Sequence, residues 1–124
     1  MMKFYQSKES GEIIAVRGGE AADLTDYEEI IANTVDAAKE KHVPVISREG
    51  QTVTVTVGSV LHPMTDVHYI AWILLETQNG EERKELKPAE EPVAQFYVAE
   101  DDAVIAAYEF CTLHGIWAAV PEEA

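Results

Sequence analysis

A chain of 124 residues, 47% of them hydrophobic, is long enough to form one domain with a self-sufficient core. Its 23 acidic and nine basic residues give a formal charge of −14, which repels phosphate backbones and anionic lipid surfaces, so neither nucleic acid nor membrane is expected as a partner. A single cysteine excludes an intrachain disulfide framework, and no stretch approaches the ~18 apolar residues of a membrane span; a soluble, cytoplasmic protein is expected.

In chain order, Lys3-Phe-Tyr5 and Ile13-Ile-Ala-Val16 read as two short strands joined by a turn over Ser7-Lys-Glu-Ser-Gly11. Gly18-Gly19 breaks the run, and Leu24 to Ala32 reads as a short helix capped by Thr25 or Asp26. Ala37 to Lys41 reads as one or two helical turns. Val43-Pro44 ends them, because a residue before proline is pushed out of the α region. The apolar period then becomes two. Val43, Val45, Val53, Val55 and Val57 alternate with polar residues around a Glu49-Gly50 turn, which predicts a hairpin with one buried face. Tyr69 to Thr77 is a continuously apolar strand, Asn79-Gly80 signals a type I′ turn, and Arg83 to Leu86 returns. Val93 to Val98 and Ala103 to Phe110 are further strands, and Cys111 to Ala119 holds a loop and a last strand. Such spacing predicts an all-β sandwich of about seven strands. The N-terminal thirty-odd residues form a small separate unit, with the boundary near Asn33 to Ala37.

The sole cysteine, Cys111, lies three residues before His114, and the other histidines are His42, His62 and His68. All five fall in loops or at strand ends, where side chains from different strands can meet at one end of a sandwich. Four imidazoles and a thiolate make five donors. Structural zinc is four-coordinate and tetrahedral, so the set suits it poorly. A blue-copper site uses two histidines and a cysteine, leaving two histidines over. Iron accepts five protein ligands and keeps a sixth position open, and a thiolate pushes electron density onto it. The donor set thus points to a redox iron.

Glu40-Lys-His-Val-Pro44, Gly58-Ser-Val-Leu-His-Pro-Met64, His68-Tyr-Ile70, Leu86-Lys-Pro88 and Cys111-x-x-His-Gly-x-Trp117 resemble, in order, the motifs of the superoxide reductases, the desulfoferrodoxin and neelaredoxin family. The resemblance covers essentially the whole chain and implies an immunoglobulin-like sandwich with a mononuclear non-haem iron. It implies His42, His62, His68 and His114 as equatorial ligands, Cys111 as the axial thiolate, Glu40 as the sixth ligand of the ferric resting state and Lys41 as the nearby cation. It also implies one-electron reduction of superoxide to hydrogen peroxide, a rubredoxin-like electron donor and a dimer or tetramer. The N-terminal segment, residues 1–35, resembles the desulforedoxin-like module of two-iron members, but Ser7 and Ser10 stand where a Cys-x-x-Cys pair is found, and Ala22-Asp23 where a second pair would align. Hydroxyls do not replace thiolates around a tetrathiolate iron. A metal-free module is therefore expected ahead of an iron-binding domain over residues 36–124. Two other readings of the donors stand beside this one: a non-catalytic immunoglobulin-like domain with structural zinc, and a purely electron-transferring iron protein.

Overall fold

The structure, a computed structural model, describes residues 1–18 and 24–122. Seven strands build the sandwich: β4 (Pro44–Glu49), β5 (Thr52–Val57), β6 (Ile70–Thr77), β7 (Gly80–Glu85), β8 (Val93–Tyr97), β9 (Val104–Cys111) and β10 (Gly115–Ala119). They pair antiparallel in two sheets, ordered β4-β5-β8 and β10-β9-β6-β7. The space between is filled by Val53, Val55, Val57, Ala94 and Phe96 from one sheet and Ile70, Ile73, Leu75, Ala107 and Cys111 from the other. The Thr-Val repeat of β5 accounts for its inner face: each valine is buried and each threonine half-buried. The expected all-β, seven-stranded architecture is present, and no helix among the described residues is long and apolar enough to cross a membrane.

A third sheet, β2-β1-β3, comprises β1 (Lys3–Ser7), β2 (Ile13–Val16) and β3 (Tyr27–Ile30). It lies on the outer face of the four-stranded sheet. Met2 and Phe4 pack there with Trp72, Leu74, Ala106, Tyr108, Ile116 and Ala118. The Phe4 ring meets the Tyr108 ring edge-on at 4.9 Å and stacks with Trp72 at 5.9 Å. Polar contacts stitch the same seam: the Met2 amide donates to Tyr108 Oη (3.0 Å), Tyr108 donates to the buried Glu76 (2.8 Å), and Arg17 lies 3.8 Å from Glu76. The N-terminal unit therefore has its own sheet but shares a core with the sandwich. That explains the unbroken apolar run of β6, whose two faces are both covered.

Several local expectations are corrected. Leu24 to Ala32 is not helical. Tyr27–Ile30 is strand β3, paired with β1 so that Phe4 faces Ile30, and the ladder with a ready partner overrides a weak helical preference. Only Lys39–His42 forms α1, a single turn, and Val43 closes it as expected. Val45 is exposed rather than inward; Pro44 and the half-buried Ile46 fill that face. The β6–β7 loop is Gln78-Asn79, because Thr77 pairs with Gly80, and neither Asn79 nor Gly80 takes the positive φ a type I′ turn needs. The turn is pinned from outside instead: the Asn79 amide donates to Asp102 Oδ1 (3.1 Å) and the Gln78 amide to the Ala103 carbonyl (2.8 Å).

Candidate metal centre

Each of the five donors stands where an element ends. His42 closes α1, His62 follows the turn after β5, His68 precedes β6, Cys111 is the last residue of β9, and His114 lies in the loop to β10. A register shift in β6 between Ile70 and Trp72 turns Ile70 into the sandwich core, opposite Cys111, while Trp72 faces the N-terminal sheet. Gly115, at φ +76°, lets the three-residue loop after Cys111 fold back, so that Cys111 and Gly115 pair across the hairpin. The Thr112 amide donates to the Tyr69 carbonyl (3.0 Å), tying this loop to the one carrying His68.

The imidazoles form a ring. Successive centroids lie 4.7 Å (His42–His62), 4.6 Å (His62–His68), 5.2 Å (His68–His114) and 4.9 Å (His114–His42) apart, with neighbouring planes crossed at 82°, 86°, 78° and 83°. The opposite pair, His42 and His68, is nearly parallel at 6.4 Å. Beside the ring sits the fully buried Cys111, its Sγ 3.3 Å from His62 Nε2 and 3.7 Å from His114 Nδ1. Ligand atoms of His42, His62, His68 and Cys111 all lie within 4.8 Å of one another, and His114 adjoins them with Nδ1 3.0 Å from His42 Nε2.

Backbone carbonyls fix which nitrogen looks inward. His42 Nδ1 donates to Ala38 (2.7 Å) and His62 Nδ1 to Pro63 (2.6 Å), so each turns an unprotonated Nε2 toward the centre. His68 Nε2 is buried without a hydrogen-bond partner. Two nitrogens at right angles on one ion, each about 2.1 Å away, would stand about 3 Å apart. The His42–His114 separation has that value. An orphaned inward nitrogen and crossed rings around a thiol fit a bound cation.

The electrostatics agree. Burial foremost, then repulsion among the neighbouring imidazoles, pushes His62 down to about 4. Burial likewise lowers His42 and His68, with repulsion from His114 added in both. Neutral imidazoles are the form a metal takes. Burial raises the Cys111 thiol, opposed by the Leu113 and His114 amides that donate to it; a bound cation would reverse the balance and hold a thiolate.

Glu40 and Lys41 are exposed on α1 beside His42, and Glu40 is not among the clustered ligands. The Lys41 charge nevertheless reaches the site, since it helps lower both His42 and His68. Trp117 is buried and supports the ring: its indole lies 5.1 Å from His42, and Nε1 donates to the His114 carbonyl (3.1 Å). Its place three residues after His114 was the available signal. In the N-terminal turn, Ser7 Oγ accepts from the Glu9 and Ser10 amides at 3.2 and 3.0 Å, and Ser10 Oγ from Glu12 at 3.2 Å. These hydroxyls close the turn together with backbone bonds from the Gly11 amide to the Ser7 carbonyl (3.0 Å) and from the Ser7 amide to the Glu12 carbonyl (2.8 Å). Ala22 and Asp23 lie outside the described residues.

Fold and site together define a β-sandwich with four histidines and a cysteine gathered at one place, of which His42, His62, His68 and Cys111 could hold one metal ion. Residues 34–120 match the desulfoferrodoxin family model, and the chain belongs to that family. It is similar to a desulfoferrodoxin of Clostridium acetobutylicum, 43% identical over 95% of each chain. Among solved structures it resembles the superoxide reductase of Treponema pallidum, with a TM-score of 0.78, 42% identity and coverage of 96% of this chain and 98% of that one. The one-iron superoxide reductase of Giardia intestinalis aligns with 68% of this chain and 100% of its own at TM-score 0.58 and 35% identity.

Proposed function

We propose that the chain is a superoxide reductase with one non-haem iron held by His42, His62, His68, His114 and Cys111. The observation that carries the reading is the ring of four crossed imidazoles with a buried thiol against it. Five donors exceed the four of a structural zinc, which disfavours the structural-metal alternative. Iron in this set supplies the single electron that, with two protons, converts superoxide to hydrogen peroxide, and an external donor restores it.

The chain's own residues supply the rest. Ala38 and Pro63 hold two imidazoles in the ligating tautomer, and Trp117 backs a third contact of the ring. Lys41 answers a charge problem: a protein at −14 repels an anionic substrate, and a cation at the mouth offsets that within a Debye length of ~8 Å. Glu40, exposed on the same turn, would by the resemblance supply a carboxylate to the oxidised metal. The resemblance extends the reading to a rubredoxin-like donor, a dimer or tetramer, a cytoplasmic location and a metal-free N-terminal module over residues 1–35. The shared apolar seam of that module supports a covering role.

Lys41→Ala is expected to slow association with superoxide several-fold and to flatten its dependence on ionic strength. Rapid-mixing or pulse-radiolysis rates across a salt series check this; an unchanged salt profile would remove Lys41 from the mechanism.

A further inference from the structure

We propose that Gly58 is a positioning residue for the metal centre, its bare Cα forming the seat on which the α1 turn rests. A four-residue helix without a side-chain N-cap cannot hold its own place, so what it packs against decides where its residues stand. A Cβ at Gly58 would lie 2.6 Å from the Glu40 carbonyl oxygen and 3.1 Å from both the Lys41 carbonyl carbon and the Val43 carbonyl oxygen. All three are backbone atoms, which cannot swing aside as a flexible side chain would. The same carbonyl of Glu40 is gripped from the other side, accepting from the Val60 amide (2.9 Å) and from Ser59 Oγ (3.3 Å). The turn then runs directly into His62, whose amide returns to the Val57 carbonyl (2.9 Å).

One backbone contact therefore fixes two things together. It sets the His42 ring against the His62 ring, 4.7 Å away, and it sets where the exposed Glu40 and Lys41 stand beside them. A methyl group at position 58 would push the α1 backbone out by most of an ångström, and displacements of roughly 1 Å at a reacting centre can cost on the order of 100-fold. Gly80, also without a positive φ, would meet nothing within 4 Å and serves as the control position.

The inference rests on the site holding a metal, and not on the reaction assigned to it. The test is Co(II) binding to the full-length apoprotein by chelator competition, together with the ligand-field bands of the bound ion, which report donor geometry rather than folding stability. Gly58→Ala is expected to weaken Co(II) binding at least fivefold and shift those bands, with Gly80→Ala matching the parent. A loss below fivefold, or unshifted bands, overturns the seat. Should Gly58→Ala fail to fold, Ser59→Ala carries the test, since it loosens the grip on Glu40 without a clash: at least twofold weaker binding is expected, and less overturns the proposal. A parent protein that binds no Co(II) would instead sink the metal reading itself.

Discussion

Cys111→Ser is expected to remove the visible thiolate-to-ferric absorption of the oxidised protein and to lower superoxide reduction at least 100-fold. The side chain is fully buried at the end of β9, with Sγ against His62 Nε2 and His114 Nδ1 and two loop amides donating to it. A serine there keeps the shape but offers a hard hydroxyl that does not ionise in this setting, so the electron density a thiolate pushes onto the metal is gone. The fold should survive, because the substitution exchanges one small buried group for another whose hydrogen-bond needs the Leu113 and His114 amides partly meet. Spectrum and rate together decide it. A variant that kept both would take Cys111 out of the donor set.

The second large effect is acid lability. His42, His62 and His68 are lowered in the folded protein, His62 to about 4, while an unfolded chain titrates them near 6.5. Between those values the unfolded chain binds protons that the folded one refuses, so stability rises with pH and is lost as pH falls from 6.5 to about 4. His62 alone accounts for about 3 kcal/mol over that span, counting about 1.4 kcal/mol per unit. Glu109 works the other way. It is fully buried, neither carboxyl oxygen has a partner, and burial raises it well above the usual carboxylate range, so it favours folding at low pH and penalises it as pH rises. Denaturant titrations of the apoprotein from pH 7.5 to 4 should show the loss, and more steeply in Glu109→Gln, where the opposing contribution is absent. Bound metal should leave within the same window, because protons then compete for its ligands. An apoprotein equally stable at pH 7 and 4.5 in the Glu109→Gln background would contradict the electrostatics of the ring.

Part of the fold and of the site is legible in the sequence alone. The alternation over Thr52–Val57 carries its own face assignment, and the positions of His42, His62, His68, Cys111 and His114 at element ends announced a cluster. What escaped depends on partners far away in sequence. Leu24 to Ala32 looks helical until β1 offers Ile30 a ladder, and Val45 looks inward until Pro44 and Ile46 are found filling that face. Asn79-Gly80 signals a turn of one type, yet Asp102, 23 residues on, holds a different one. The third layer was hidden for the same reason. Nothing local to Met2 or Phe4 says that Trp72 and Tyr108 need covering. Gly58 likewise gives no sign in its own neighbourhood that α1 will rest on it.

The central claim is that the five donors hold one iron. Metal analysis of the purified protein combined with the optical spectrum of its oxidised form tests it most directly. One iron per chain and a visible thiolate-to-ferric band are expected; a colourless protein carrying zinc would rule the iron site out.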